Sequence, residues 1–198
     1  MSRYQTCARE VHWTAVKTIL KYLRRTKDVF LIYGGGESIL EGFSDASFQS
    51  NVYDAKSQSG FVFKRNGGVV AWKSSKQDPT TNSTMEAEYI AASEATKETV
   101  WIKNYIQELA VVSSIAEPVF ILCGNNRAIA QAKEPRSHHR SKHILRRYHL
   151  LKEMVGGGDV QRDRVSSAEN ITDPLTKPMS QIAHAQHLGK MGLRQISD

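Results

Sequence analysis

The sequence predicts an α/β fold with a mixed sheet and helices that cross over it. Three strand-like segments follow one another, and a tight turn at 66–68 joins the last two, which favours an antiparallel meander. A long helical segment then precedes a continuous apolar run at 119–123, as expected for a central strand covered on both faces. This order of elements is typical of a mixed sheet with helical crossovers.

The first half of the chain supplies a helix and the meander. Residues 9–26 place apolar side chains at helical spacing, and 29–33 form a short apolar strand before three glycines. The meander is expected at 40–48, 58–65 and 69–75, because these runs are bounded by turn residues.

The second half alternates helices and strands. A helix is predicted over 83–109, and the strand at 118–123 should lie beside the first strand of the meander and parallel to it. The remaining segments are a short helix at 126–133, a helix from about 142 to the glycines at 156–158, a strand at 159–166 and a helical tail from 171.

Composition and charge indicate the kind of partner and the cellular compartment to expect. The chain has 198 residues, a formal net charge of +7 and two cysteines, Cys7 and Cys123, that are far apart. The basic balance favours a polyanionic partner, and the cysteine usage suits a reducing compartment. We expect a soluble, intracellular protein with no membrane partner, because no apolar run is long enough to span a bilayer and no signal-like segment opens the chain.

Asp45 is the unusual residue of the first meander strand. Period-2 alternation puts Phe43, Asp45 and Ser47 on one face. An aspartate is disfavoured in a strand and costly when buried without a partner, so on its own Asp45 would be interpreted as a solvated edge or turn residue.

A series of motifs changes that interpretation. In chain order they are GFSDASF, SGFVF, VAWKSSKQ, STMEAEYIAASEA, ILCGNN, KHILRRYHL and ENITDPLTKP. Together they resemble the C-terminal ribonuclease H domain of copia-type retrotransposon polyproteins, and HWTAVKTILKYLRRTKD resembles the end of the preceding reverse transcriptase region. The resemblance covers nearly the whole chain and implies a ribonuclease H-like fold with a five-stranded mixed sheet. It divides the chain into a reverse transcriptase remnant (1–38), the ribonuclease H-like domain (39–180) and a C-terminal helical tail (181–198).

The resemblance also implies an activity and its site. The family cleaves the RNA strand of RNA–DNA hybrids with Mg²⁺ or Mn²⁺ held by four carboxylates, of which three correspond here to Asp45, Glu86 and Asp173. Glu88 is the alternative to Glu86, since the two differ by about 200° around a helix and only one can face the site. Ser83 and Glu86 also fit a capping box, in which Glu86 would serve its own helix.

The third carboxylate position departs from the family pattern. Where the family has Cys-Asp-Asn, this chain has Cys123, Gly124 and Asn125. Glycine offers no side-chain ligand and asparagine only a neutral oxygen, so we expect impaired metal binding and hydrolysis. The loop at 166–170 also lacks the histidine that many ribonucleases H carry before the fourth carboxylate.

A basic segment at 133–149 is the candidate nucleic-acid contact. With a nuclease fold beneath it, backbone phosphates are its expected partner, although a charge run can also be a solvated face. The candidate residues are Arg136, Arg140, Lys142, His143, Arg146 and Arg147. The histidines do not have zinc-finger spacing.

Three functions stay open at this point. The chain is a ribonuclease H domain, with an RNA–DNA hybrid and reverse transcriptase as partners; or a catalytically inactive nucleic-acid-binding or interaction module; or a structural module of reverse transcriptase. The first of these functions implies that the protein acts in cytoplasmic virus-like particles or in the nucleus. The sequence leaves the oligomeric state open.

Overall fold

The computed structural model describes residues 2–34, 39–50, 54–109, 118–124, 149 and 151–195. A 3₁₀ helix spans Ser2–Cys7, and residues 151–156 are helical. The other helices are α1 (Glu10–Arg25), α2 (Thr84–Leu109), α3 (Asp173–Thr176) and α4 (Gln181–Lys190). The strands are β1 (Val29–Leu31), β2 (Glu41–Ser47), β3 (Gln58–Arg65), β4 (Gly68–Lys76), β5 (Val119–Cys123), β6 (Val160–Arg164) and β7 (Leu193–Gln195).

Five of these strands form one mixed sheet in the order β4-β3-β2-β5-β6. β2, β3 and β4 are an antiparallel meander, β5 runs parallel to β2, and β6 runs parallel to β5. The turn between β3 and β4 uses positive φ at Asn66 (50°) and Gly67 (82°), as its sequence predicted. The ribonuclease H-like fold and the neighbouring, parallel placement of β2 and β5 are therefore confirmed.

Helices cover both faces of the sheet. α2 packs on one face over a core that includes Phe61, Phe63 and Ile121. The segment that contains α3 and α4 covers the other face, where Phe43, Val62 and other apolar residues are buried. The consequence is that residues 42–46 of β2 are all buried, so Asp45 is a core residue rather than an edge residue.

A second, two-stranded sheet joins the two ends of the described chain. β1 pairs antiparallel with β7, and the Ile32 N–H donates to the Gly192 carbonyl at 2.9 Å. Tyr33 extends this contact to the meander, since its hydroxyl donates to the Val69 carbonyl at 2.7 Å. Within the described residues, the tail after 181 is thus helical over Gln181–Lys190, and the prediction of a helical tail over 181–198 is corrected at Leu193–Gln195, which is a strand.

α1 differs from the other long helix in its packing. None of its residues is buried, and its apolar residues include Trp13, which is 60% exposed. Tyr22 makes an edge-to-face ring contact with His184 of α4. Within the described ranges, no helix is both long enough and apolar enough to cross a membrane.

Candidate active site

Asp45 lies at the centre of the sheet and is only 2% exposed. One of its oxygens, Oδ2, accepts a hydrogen bond from the Thr176 hydroxyl, and Oδ1 accepts one from Lys177 Nζ at 2.9 Å. The residue opposite Asp45 on β3 is Gly60, where a Cβ would lie 2.8 Å from the Thr176 methyl carbon. The absence of a side chain at Gly60 therefore lets α3 approach the sheet and reach Asp45.

Asp173 opens α3 beside Asp45. Its Oδ1 lies 3.2 Å from Lys177 Nζ, the same ammonium that binds Asp45. The loop before α3 is fixed to β2 by buried Asn170, whose Nδ2 donates to the Ser44 carbonyl at 3.1 Å and whose Oδ1 accepts from the Thr172 N–H at 3.2 Å. The structure thus brings together Asp45 and Asp173, two of the residues selected from the sequence.

The glutamate that faces this pair is Glu88 and not Glu86. Glu86 is engaged at the start of α2: its Oε2 accepts from the Asn82 N–H at 2.7 Å, and its own N–H donates to Ser83 Oγ at 3.1 Å. Glu88 interacts electrostatically with Asp45 and Asp173. The sequence-based preference for Glu86 is therefore corrected, because the helix rotation points Glu86 toward its own N-terminus and Glu88 toward β2.

The sequence already indicates that Glu88, rather than Glu86, faces the sheet. The capping box already gave the Glu86 carboxylate a partner at the helix end. Glu88 continues the stripe of small residues that includes Ala91 and Ala95, which pack α2 against the sheet. A carboxylate on that stripe had to lie near β2.

Burial dominates the electrostatics of the cluster. Burial, followed by the charge of Asp45, raises the pKa of Glu88 from 4.5 to about 8. Burial also raises the pKa of Asp45, although the hydrogen bond from Thr176 and the charge of Lys177 oppose the rise. Burial lowers the pKa of Lys177, but the charges of Asp45 and Asp173 outweigh it and leave that pKa above its ordinary value.

Gly124 follows β5 at the position that completes the predicted site. In the parallel register Ser44 pairs with Cys123, so the next pair is Asp45 and Gly124, on one face of adjacent strands. Among the described residues, no heavy atom lies within 4 Å of a Cβ built on Gly124, and Gly124 is not among the glycines with positive φ. An aspartate would therefore fit here without backbone strain.

The remaining candidates lie outside the described residues. They are Asn125 and the predicted phosphate-binding residues Arg136, Arg140, Lys142, His143, Arg146 and Arg147. The helix predicted at 126–133 lies there as well.

The donor set suits a hard divalent cation. Among the residues with described positions, no group of three or more His, Cys, Asp or Glu side chains is arranged around a single metal position. The oxygens of Asp45 and Asp173 nevertheless converge on one cation, Lys177 Nζ, and Glu88 Oε2 is buried with no hydrogen-bond partner in the described part of the chain. Carboxylate oxygens and an unsatisfied buried acceptor are the chemical type of ligand that a hard divalent cation accepts.

Comparisons with known proteins show which proteins the chain resembles. No family model matches the chain. It is 39% identical over 177 residues to the retrovirus-related Pol polyprotein from transposon TNT 1-94 of Nicotiana tabacum, a match covering 89% of this chain and 13% of that polyprotein. It is 31% identical over 198 residues to the retrovirus-related Pol polyprotein from transposon RE2 of Arabidopsis thaliana, covering 99% of this chain and 13% of that polyprotein.

Two other similarities are more limited. A stretch of 103 residues, 52% of this chain, is 41% identical to secreted RxLR effector protein 161 of Plasmopara viticola and covers 72% of that protein. Among solved structures, ribonuclease H1 from Halobacterium salinarum NRC-1 is similar with a TM-score of 0.49 and 16% identity, over 69% of this chain and 93% of that one. The order of motifs and the two polyprotein matches agree, and the chain is therefore a relative of the retrovirus-related Pol polyproteins of copia-type transposons, spanning 13% of the length of the two that it matches.

Proposed function

We propose that this chain is a ribonuclease H domain that binds RNA–DNA hybrids and hydrolyses the RNA strand, with hydrolysis strongly reduced by Gly124. The observation that carries the proposal is the pairing of Asp45 of β2 and Asp173 of α3 with one ammonium, together with Glu88 of α2, which interacts electrostatically with both carboxylates. Buried like charges are costly for a fold, so their convergence favours a cation-dependent role.

Asp45, Glu88 and Asp173 are the residues that would hold Mg²⁺ or Mn²⁺. Divalent cations bound in such a cluster activate water and stabilise the negative charge that develops on the leaving oxygen. The chain's own contribution is to orient the ligands: Thr176 fixes one oxygen of Asp45, and Asn170 fixes the loop that carries Asp173.

Gly124 sets the expected level of activity. It stands beside Asp45 in register, where the family has an aspartate, and contributes no oxygen from a side chain. The same residue supports the second candidate function, a module that binds hybrids without hydrolysing them. The two candidates differ only in whether three carboxylates suffice for turnover.

The partners and the compartment follow from the family. The chain spans 13% of the two Pol polyproteins it matches, so it would act beside reverse transcriptase on the hybrid that reverse transcription produces. The basic segment at 133–149 would bind the hybrid's phosphates. We assign this activity to cytoplasmic virus-like particles or the nucleus.

The experiment is hybrid cleavage by the chain and by Gly124→Asp, with Mg²⁺ and with Mn²⁺. We expect little cleavage by the unmodified chain and a gain of orders of magnitude in the variant. Each ~1.4 kcal/mol of restored transition-state stabilisation is a tenfold gain, and electrostatic contributions of this kind reach several kcal/mol.

Gly156→Asp is the matched control. Gly156 also has open space around its Cβ position and no positive φ, and it lies outside the carboxylate cluster. Gly156→Asp adds the same charge as Gly124→Asp and should leave hybrid cleavage unchanged. Strong Mg²⁺-dependent cleavage by the unmodified chain would refute the impairment, whereas hybrid binding with no cleavage by Gly124→Asp would favour the second candidate.

A further inference from the structure

Lys177 occupies the centre of the carboxylate cluster. Its Nζ lies 2.9 Å from Asp45 Oδ1 and 3.2 Å from Asp173 Oδ1. We propose that Lys177 is an intramolecular competitor of divalent cations, which can bind between Asp45 and Asp173 only by displacing its ammonium. The inference rests on the proposed function, because it takes these carboxylates to be the metal ligands.

The backbone around Lys177 favours this position. Lys177 is the residue immediately after α3, and its N–H donates to the Asp173 carbonyl at 2.9 Å. That bond fixes the Cα of Lys177 four residues after Asp173, from where the side chain reaches both carboxylates. The ammonium is therefore held by the fold of α3 and not by a chance contact of a surface chain.

The side chain can nevertheless leave. Lys177 is 38% exposed, whereas Asp45 is 2% exposed. Rotation of a long, flexible side chain toward water requires no movement of the sheet or of α3. The exposed lysine can thus give way while the buried carboxylate stays in place.

The charges in the cluster determine whether loss of the Lys177 ammonium strengthens or weakens metal binding. Asp45, Glu88 and Asp173 share this site, and Lys177 is the cation paired with two of them. A divalent cation carries twice the charge and accepts several oxygen ligands, so it can replace the ammonium. Removing the ammonium should strengthen metal binding and weaken the metal-free fold.

The alternative is that Lys177 is a positioning residue that assembles Asp45 and Asp173 for the metal. That role makes the opposite prediction, because loss of the lysine would then separate the ligands and weaken metal binding. Equilibrium binding of the metal therefore distinguishes competition from assembly without any measurement of cleavage.

The test is calorimetric titration of the full chain with MnCl₂ and MgCl₂ in the absence of nucleic acid. We expect Lys177→Met to bind Mn²⁺ roughly tenfold more tightly than the unmodified chain. Lys177→Arg keeps the charge and should show no such gain. Lys190→Met is the matched control: Lys190 is 35% exposed, is paired with Glu169 at 2.7 Å and should leave affinity unchanged.

A second measurement uses the unmodified chain and does not depend on any variant folding. Acetylation of lysines, followed by mass spectrometry, should show that Mn²⁺ increases the reactivity of Lys177 relative to Lys190, because the displaced ammonium becomes accessible. Protection of Lys177 by Mn²⁺ would overturn the inference. So would metal binding by Lys177→Met that is equal to or weaker than that of the unmodified chain, or no binding by any variant.

The failures of the two proposals are distinguishable. If Lys177→Met binds metal more tightly while Gly124→Asp never cleaves a hybrid, competition stands and the proposed hydrolysis fails. If Gly124→Asp cleaves while Lys177→Met shows no gain in affinity, the hydrolysis stands and competition fails.

Discussion

Replacing Glu88 by glutamine should stabilise the metal-free protein at neutral and alkaline pH. The glutamine has the size of the glutamate and no charge, so it removes a carboxylate that burial and Asp45 make costly to ionise. The pKa of Glu88 is raised from 4.5 to about 8. Such a shift corresponds to at most about 5 kcal/mol, at ~1.36 kcal/mol per pKa unit.

The expected gain is smaller than this limit. Glu88 is partly exposed, and water therefore screens part of the penalty. We expect the variant to gain about 2–3 kcal/mol above pH 8, since exposed charges interact weakly. For a chain of this size this corresponds to roughly 4–12 °C in Tm.

The raised pKa of Glu88 determines in which direction stability changes with pH. A carboxyl whose pKa is raised on folding contributes stability that is fully present below its unfolded pKa and is lost as pH rises through its folded pKa. The unmodified chain should therefore lose this stability between pH 4.5 and about 8, and the advantage of Glu88→Gln should grow across that window and level off above it. Below pH 4.5 the two proteins should be nearly equal in this respect.

The assay is thermal denaturation followed by circular dichroism from pH 4 to pH 9, in chelator. Glu86→Gln is the control, because it lies on the same helix and keeps an oxygen for the Asn82 N–H. Glu86→Gln keeps Glu88 and should therefore lack the stabilisation expected of Glu88→Gln above pH 8. A pH-dependent gain in Glu86→Gln, or none in Glu88→Gln, would refute the placement of Glu88 in the cluster.

Three further outcomes are expected. Asn170→Ala should lower the free energy of unfolding by about 1–3 kcal/mol, because it leaves a buried carbonyl of β2 without its donor, and urea titration would measure the loss. Gly192→Ala should destabilise the β1–β7 pair, because the φ angle of Gly192 is +91° and a Cβ there would lie 2.6 Å from a carbonyl oxygen of the β3–β4 turn. Amide hydrogen exchange in β1 should therefore accelerate. Gly189→Ala, at a glycine of α4 with open space around its Cβ position, should leave that exchange unchanged. Neutralising four residues of the basic segment should weaken hybrid binding and flatten its salt dependence, and an unchanged salt slope would mean that the segment is a solvated face. The four residues are Arg140, Lys142, Arg146 and Arg147.

The sequence was sufficient for the sheet because its signals there are local. The 66–68 turn and the apolar run at Val119–Cys123 each indicate their own element, and the rules of connection leave few ways to join them. Asp45 and Asp173 were found through their motifs and meet in the structure.

The errors concern contacts between distant parts of the chain. The choice between Glu86 and Glu88 depends on which way α2 is rotated against β2, and the motif resemblance favoured Glu86 although the capping box and the alanines of α2 indicate the rotation that is found. Leu193–Gln195 is too short to show a strand pattern, and its partner lies at the other end of the chain. The position of Lys177 depends on how closely α3 approaches the sheet at Gly60.

The pairing of β1 with β7 also determines how late in synthesis β1 can find its partner strand. Val29 pairs with Gln195, more than 160 positions later in the chain. A ribosome adds about 5–20 residues each second, so β1 waits on the order of 10–30 s for its partner. During that interval the apolar cavity of about 210 Å³ that Leu31 lines still lacks its walls from Met191 and Leu193. The nascent chain therefore carries an unpaired strand edge and an open apolar surface until Leu193–Gln195 has been synthesised.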